Sequence, residues 1–246
     1  MVILEAKDLT KSFGGLMAVA DVSVKVNSGE LVGLIGPNGA GKTTLFNMLS
    51  GYYKPTSGEV YFKGKDISKL KVFETSYLGI ARTFQIVKPF GKMSVLDNVM
   101  VGAFAQTDNK KIAKEKALEV LDFVGLLGAK DNLAESMTLG GKKRIELARA
   151  LATEPELLLL DEVVAGLNPS EVNGVIEIIR RICKEKQITI VMVEHVMQAI
   201  MALSDRIIVM NSGRKIAEGI PEEIANNPEV IQAYLGRGIK KGGADS

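Results

Sequence analysis

The sequence has little of what marks secreted, membrane-spanning or nucleic-acid-binding proteins. It contains one cysteine, Cys183, which excludes an intramolecular disulfide and favours a reducing compartment. Its formal net charge is only +2, which gives no electrostatic case for nucleic acid as a partner. No apolar run approaches the roughly 20 residues that a transmembrane helix needs, and the first residues lack the basic start and apolar core of a signal peptide. We therefore expect a cytoplasmic chain that binds no nucleic acid.

The bulk composition is that of an ordinary globular protein. Hydrophobic residues make up 46% and charged residues 24% of the 246 positions, the usual balance for a chain that folds around its own core. A chain of this length builds one large α/β domain, or a domain that carries a sub-domain. Because no internal repeat stands out, one core interrupted by an insert is the simplest architecture.

The segment Gly36–Thr44, with the sequence GPNGAGKTT, is the clearest functional motif. It fits the pattern of a glycine, four residues and Gly-Lys-Ser/Thr, and it lies between an apolar run at 31–35 and a helical pattern that ends at Gly51. Glycines let backbone N–H groups surround a polyphosphate, and the helix N-terminus adds its positive dipole end. Lys42 can reach the terminal phosphates, and Thr43 can place its hydroxyl on Mg²⁺. An ordinary glycine-rich turn is the alternative. We predict that the nucleotide is bound by Gly36, Pro37, Asn38, Gly39, Ala40, Gly41, Lys42, Thr43 and Thr44.

Two adjacent acids follow the apolar run Leu157–Leu160. Such a run predicts a buried strand, and open parallel sheets bind ligands at the carboxyl ends of their strands. Asp161 is placed to hold Mg²⁺ through its water shell, and Glu162 to orient or deprotonate the attacking water. The alternative is that both acids only cap the following loop.

Two further polar residues are candidates for the same site. His195, the only histidine, directly follows a predicted strand at 188–193, where an imidazole could hydrogen-bond a γ-phosphate and hold the water. Gln85 lies between the phosphate loop and a helical stretch, and its uncharged amide suits a reversible Mg²⁺ or water ligand. Taken alone, each could be an ordinary surface residue. We predict that Glu162, His195 and Gln85 are catalytic, and that Thr43, Gln85 and Asp161 hold the metal.

The hydrophobic pattern predicts an α/β fold with a mostly parallel core sheet. Weak alternation over residues 2–30 and at 59–62 predicts an N-terminal antiparallel β subdomain. From about residue 86 to residue 155 the spacing is helical, with one apolar face that ends at Leu127 and is closed by Gly128, so we predict an inserted helical subdomain there. Asn168 with the proline and acid that follow it predicts a helix start. Further expected elements are a hairpin at 206–217 and a flexible C-terminal tail at 239–246.

The order of these motifs resembles the nucleotide-binding subunit of an ABC transporter, across nearly the whole chain. The resemblance implies the P-loop NTPase fold of ABC ATPases over residues 1–238, with ATP and Mg²⁺ as cofactors. It implies that Phe13 stacks on adenine with Ala18 nearby. It also implies that Gln85 connects the Mg²⁺ site to a membrane partner and that the segment 165–168 crosses a dimer interface.

The signature motif departs from the family pattern. The usual Leu-Ser-Gly-Gly-Gln aligns with Met137–Gly141, whose sequence is MTLGG. Thr138 keeps a hydroxyl and Gly140 keeps its glycine, while Leu139 and Gly141 replace a glycine and a glutamine. The requirement that survives is a helix N-terminus that offers N–H groups and a hydroxyl to the γ-phosphate of the partner's ATP. We therefore expect Thr138 and Gly140 to contact nucleotide across a dimer.

A narrower resemblance is to the larger-type ATPase subunit of branched-chain amino-acid importers. It is carried by FGGL at 13–16, ARTFQ at 81–85, AGLNP at 165–169 and IQAYLG at 231–236. The implied function is an ATPase that energises a permease importing hydrophobic amino acids. Because the Tyr-Leu-Gly ending also occurs in lipopolysaccharide-export ATPases, a subunit of another ABC transporter is the alternative.

Two other classes of protein remain as alternatives. A soluble ABC ATPase for DNA repair or translation usually has two cassettes or a long coiled coil, and this chain has one P-loop and no sustained heptads. A scaffold without turnover would not need Glu162 and His195. The implied partners are transmembrane permease subunits, a second ATPase subunit of the same or another kind and, indirectly, a solute-binding protein. We expect the chain on the inner face of the membrane, docked through residues 86–93.

Overall fold

The computed structural model describes residues 1–85 and 87–235, and within these ranges the chain alternates between strands and helices. The strands are β1 Val2–Phe13, β2 Leu16–Asn27, β3 Leu31–Ile35, β4 Ser57–Phe62, β5 Lys65–Asp66, β6 Ile80–Arg82, β7 Leu157–Asp161, β8 Thr189–Val193, β9 Arg206–Asn211 and β10 Arg214–Gly219. The helices are α1 Lys42–Leu49, α2 Val72–Tyr77, α3 Val95–Ala103, α4 Lys110–Phe123, α5 Leu139–Leu151, α6 Pro169–Lys186, α7 Met197–Leu203, α8 Pro221–Ala225 and α9 Pro228–Leu235.

The core sheet of the described chain has the strand order β10-β9-β3-β8-β7-β6. All neighbours pair in parallel except β9 and β10, which form an antiparallel hairpin. Strands β3, β7 and β8 are buried along their whole length, as expected when both faces of a parallel sheet are covered. Because these strands are neighbours and run the same way, the residues that follow them meet at one edge of the sheet.

The two faces of this sheet build two hydrophobic clusters. Leu158 and Leu160 point into a cluster formed with helices α3 to α7. Leu157 and Leu159 point into a second cluster formed with α1 and with the antiparallel sheet β2-β1-β4-β5. Since successive side chains of a strand alternate between faces, one run of four leucines joins both layers of the core.

Most of the predicted elements are confirmed, with one wrong boundary and several omissions. Helix α4 ends at Phe123, and the glycine with positive φ (71°) after it is Gly125, not Gly128. Leu127 therefore begins a short 3₁₀ turn instead of continuing the apolar face. The helices α2, α7, α8 and α9 and the strand β6 were not predicted. Ile86 and the predicted tail at 239–246 lie outside the described residues. None of the helices in the described ranges combines the length and apolar content of a membrane crossing.

Candidate nucleotide site

The loop between β3 and α1 has a backbone that only glycine can adopt at two positions. Gly36 has φ 149°, and a Cβ built on it would lie 2.1 Å from the carbonyl oxygen of Met210. Gly41 has φ 97°, and its Cβ would lie 2.4 Å from the carbonyl oxygen of Ala18. Gly41 is also the residue that precedes the first turn of α1. The loop is thus pressed against neighbouring backbone at both glycines, so a residue with a side chain at either position would displace it.

Lys42 is the first residue of α1, and its side chain is buried inside this loop. The residue is 5% exposed, and its ammonium donates to the carbonyl oxygens of Gly36 at 2.7 Å and Pro37 at 3.0 Å. Burial lowers the pKa of Lys42, while the negative charge of Glu162 acts in the opposite direction. The loop therefore holds a cation at the positive end of a helix, which is the arrangement that attracts phosphate.

A cleft of about 670 Å³ lies over the loop. Phe13 forms part of its wall, 42% exposed, with its ring edge-on to Tyr53 at 5.4 Å between centroids. An exposed aromatic face beside a phosphate loop can stack on a nucleotide base. The cleft contains most of the predicted site residues: Phe13, Ala18, Asn38, Gly39, Ala40, Gly41, Lys42, Thr43, Thr44, Gln85, Glu162 and His195.

Glu162 lies at the centre of three predicted catalytic residues. Its Oε1 is 3.0 Å from Nε2 of His195, and its Oε2 accepts a hydrogen bond from Nε2 of Gln85 at 3.0 Å. The three converge because Asp161 at the end of β7 pairs with Val193 at the end of β8. A carboxylate held through both oxygens beside a phosphate loop is suited to accept a proton from water.

Asp161 is turned away from this cleft. It is 5% exposed, its N–H donates to Oγ1 of Thr83 at 3.0 Å, and its Oδ2 lies 3.5 Å from the guanidinium of Arg82. Burial raises the pKa of Asp161, and the charge of Arg82 opposes that shift. Asp161 lines an adjacent cleft of about 690 Å³.

The residues predicted to hold Mg²⁺ are suited to it in donor chemistry. Thr43 and Gln85 line both clefts and Asp161 lines the second, so a hydroxyl and an amide border both clefts and a carboxylate borders the second. The described residues contain no group of three or more His, Cys, Asp or Glu side chains able to hold a metal. Such a sparse set of hard oxygen donors matches a Mg²⁺ that keeps waters and is shared with substrate phosphates.

Thr138 and Gly140 do not line the cleft of their own chain. Thr138 caps α5, its Oγ1 accepting from the N–H of Gly141 at 3.1 Å. Gly140 lies against α6, because a Cβ there would be 2.6 Å from Oε1 of Glu171. Leu139, which replaces a family glycine, is 45% exposed. At the start of α5, Thr138 and Leu139 are exposed, while Gly140 and Gly141 are buried.

Two residues near the site were not identified from the sequence. The guanidinium of Arg82 also donates to Oδ1 of Asn47 at 2.9 Å and lies 4.7 Å from the ring centre of Phe84. Burial raises the pKa of the Tyr234 hydroxyl, and the nearby backbone N–H of Gly36 opposes that shift. Both residues lie in sequence motifs that resemble those of importer subunits, but nothing in the sequence indicated which residues they contact.

Comparison with known proteins agrees with this arrangement. A family described as "ABC transporter" matches residues 19–165, which is more than half of the chain and includes the phosphate loop and both acids. The chain belongs to the ABC transporter family. A second description, "Branched-chain amino acid ATP-binding cassette transporter", matches residues 214–240.

Individual relatives of this ABC transporter chain cover almost its whole length. It is 40% identical over 249 residues to the high-affinity branched-chain amino acid transport ATP-binding protein LivG of Salmonella typhimurium, covering 95% of this chain and 98% of LivG. The ADP conformation of the ATP-binding cassette MJ1267 superposes with a TM-score of 0.87 at 32% identity, covering 96% and 99% of the two chains. A dimeric post-hydrolysis structure of the cassette MJ0796, bound to ADP and Pi, has a TM-score of 0.80 at 25% identity, covering 89% and 99%.

These findings confirm the predicted family, fold class and enzyme class. The chain is an ABC ATPase cassette, with an antiparallel sheet joined to a mostly parallel one. As an ATP-binding subunit of a membrane transporter it hydrolyses ATP and works with a membrane permease.

Proposed function

We propose that this subunit energises a permease that imports branched-chain, hydrophobic amino acids. The observation that carries the proposal is the match of residues 214–240 to branched-chain amino acid cassettes, together with the full-length similarity to LivG. An ATPase subunit is not expected to contact the transported solute. The specificity is therefore inferred from relationship, and the chemistry from the site.

The proposed chemistry is hydrolysis of ATP with Glu162 as the general base. Lys42 and the loop N–H groups bind the phosphates, and Phe13 stacks on the base with Ala18 beside it. His195 and Gln85 hold Glu162 and the attacking water in line with the γ-phosphate. Thr43, Gln85 and Asp161 are the side chains that would hold Mg²⁺, which when bound neutralises charge on the phosphate oxygens.

Two ATPase subunits are proposed to face each other, as two copies of this chain or as this chain with a related one. Each nucleotide would lie between the Lys42 loop of one subunit and the Thr138–Gly140 helix end of the other. This arrangement uses the positive end of α5, where Thr138 and Leu139 are exposed and which lies outside the cleft of its own chain. We propose that residues 1–238 form this cassette and that it sits on the inner face of the membrane.

The permease is proposed to dock in the 690 Å³ cleft beside the nucleotide site. Phe84 and Phe90 present exposed rings there, and Arg149 lies 5.5 Å from the ring centre of Phe90. Met93, predicted with Phe90 as a docking residue, does not line this cleft; its N–H and C=O bond within the helical subdomain. A short helix from a cytoplasmic loop of the permease would bury the two phenylalanine rings next to Gln85.

The test is transport by the complete transporter in proteoliposomes. With the permeases and binding protein present, the parental subunit should import radiolabelled leucine, isoleucine or valine on addition of MgATP. Glu162→Gln should abolish import and turnover while keeping ATP binding. Phe90→Glu should abolish import but leave the ATPase of the isolated subunit intact. An active transporter that moves other solutes and none of these three amino acids would overturn the proposed specificity.

A further inference from the structure

The backbone of Glu162 is strained and is held from two sides. Glu162 has φ 51°, a left-handed conformation that is costly for a residue with a side chain. Its N–H donates to the carbonyl oxygen of Val193 at 2.9 Å, and its own carbonyl oxygen accepts from the ammonium of Lys143. A strained residue in an active site persists only where its neighbours fix it.

Lys143, which donates to this carbonyl oxygen, is a residue of helix α5. The residue is 7% exposed, and burial lowers the pKa of Lys143. It lies five residues after Thr138, so it belongs to the same helix whose start is proposed to face the nucleotide of the other subunit. An ammonium is costly to bury, so burial here needs compensation from nearby acceptors or negative charge.

Glu194 acts on Lys143 and also binds the same turn. Of the carboxylates whose charge acts on Lys143, Glu194 has the largest effect. Glu194 is 2% exposed, and its Oε1 accepts from the N–H of Val164 at 2.8 Å, two residues after Glu162. Its Oε2 has no hydrogen-bond partner among the described residues. A buried carboxylate left half unsatisfied is expensive, which points to a role beyond packing.

We propose that Lys143 and Glu194 are positioning residues that hold the Glu162–Val164 turn in the geometry needed for hydrolysis. Lys143 fixes the carbonyl of Glu162, and Glu194 fixes the N–H of Val164. The next residue, His195, contacts the Glu162 carboxylate. Through Lys143, any displacement of α5 moves the backbone of Glu162. The helix that would meet one ATP is thus connected to the base that would act on the other. This inference rests on the proposed role of Glu162 as the base.

The test measures kcat and KM for ATP, ATP binding and thermal unfolding in the full-length subunit. Lys143→Met keeps the length of the side chain without its charge, and should lower kcat by about tenfold to a hundredfold, the effect of a misplaced catalytic group, with KM changed less than about threefold. Lys143→Arg should restore most of the loss. Glu194→Ala should lower kcat more than Glu194→Gln, because the glutamine oxygen can still accept from Val164.

Lys142→Met is the matched control, since Lys142 is the neighbouring lysine on α5 and its side chain makes no hydrogen bond or ion pair with the described residues of the turn. Its kcat should equal that of the parent. Glu162→Gln is measured in parallel: if it keeps the parental kcat, the base assignment fails and the positioning inference fails with it. If Glu162→Gln is inactive but Lys143→Met hydrolyses ATP normally, only the positioning inference is wrong. A loss in Lys143→Met that follows thermal stability and is not rescued by arginine would also overturn it.

Discussion

At the scale of single residues, two glycines of the phosphate loop distinguish the effect of backbone strain from that of a steric clash. Gly41 has positive φ and no room for a Cβ, whereas Gly39 has φ 78° and nothing within 4 Å of a built Cβ. Gly41→Ala must therefore move the loop away from the carbonyl of Ala18. Gly39→Ala incurs only the conformational cost of about 1 kcal/mol.

We expect Gly41→Ala to weaken ATP binding at least about tenfold, which corresponds to about 1.4 kcal/mol. Gly39→Ala should stay within about threefold of the parent. Fluorescence titration with a nucleotide analogue measures the dissociation constants, and denaturant unfolding confirms that both variants fold. Equal affinities for the two variants would mean that the loop can shift at Gly41 without loss of ATP binding.

The buried carboxyl of Glu194 should make stability depend on pH. Burial raises the pKa of Glu194 from 4.5 to about 7, with the N–H of Val164 and the charge of Lys143 opposing the shift. Between these two values the folded chain holds a proton that the unfolded chain has released. The contribution of Glu194 to the free energy of unfolding therefore falls as the pH rises from about 4.5 through 7, and is constant above that.

Glu194→Gln removes this titration, so the stability of the variant minus that of the parent should rise between pH 5 and pH 8. The expected slope is up to about 1.4 kcal/mol per pH unit in the steep part. Denaturant unfolding at each pH supplies the values, and Lys142→Met, which removes no carboxylate, serves as the control. A flat or falling difference would show that Glu194 is ionised in the folded chain throughout this range.

At the scale of elements, the start of α6 is a helix cap that adjoins the start of α5. Oδ1 of Asn168 accepts from the N–H of Glu171 at 3.0 Å, and Glu171 accepts in return from the N–H of Asn168 at 3.2 Å. Asn109 caps α4 in a similar way, accepting from Lys111 and Ile112. Only the first cap adjoins Gly140 at the start of α5.

Asn168→Ala and Asn109→Ala should each lower the free energy of unfolding by about 1 kcal/mol, the usual worth of such a cap. ATP turnover should fall only for Asn168→Ala, because Glu171 then loses the bond that holds it against Gly140. Steady-state ATPase assays on both variants give the comparison. Equal turnover in the two would leave Asn168 with the role of a helix cap alone.

The same elements show which parts of the fold and site could be predicted from the sequence. The Asn168 cap and the fully buried strands β3, β7 and β8 could be predicted because their signals are local: a capping pattern and unbroken apolar runs. The end of α4 was misplaced because Gly125 and Gly128 are both plausible stops, and only packing selects the first. The contacts of Arg82, Lys143 and Tyr234 could not be predicted, since each joins segments far apart in the chain.

At the scale of the whole molecule, the position of the site follows from the order of strands. Strand β3 pairs with β8, and β8 with β7. The phosphate loop, His195 and Glu162 follow these strands and therefore lie at one edge of the sheet, although they are far apart in the sequence. The start of α5 ends up outside this cleft, on a separate exposed surface. The two surfaces proposed to bind one nucleotide, the Lys42 loop and the start of α5, thus do not meet within one chain.

Dimerisation should therefore depend on ATP. Without nucleotide, the two surfaces would bring phosphate-binding groups of like sign together, so the chain should be mostly monomeric. In Glu162→Gln, which should bind ATP without rapid turnover, MgATP would bridge the Lys42 loop of one copy and the Thr138 end of the other. Sedimentation velocity should then show a shift from monomer to dimer.

A second substitution tests which surface forms that dimer. Leu139 is 45% exposed at the start of α5, so Leu139→Glu, made in the Glu162→Gln chain, should fold normally but place a negative charge against the partner's γ-phosphate and prevent association. Ile112→Glu on α4, where the parent side chain is 50% exposed, is the matched control and should still dimerise. If the Glu162→Gln chain without a surface substitution remains monomeric at saturating MgATP, a homodimer of this kind is excluded. In that case the proposed two-subunit site predicts that mixing with a related ATPase subunit restores the ATP-dependent shift.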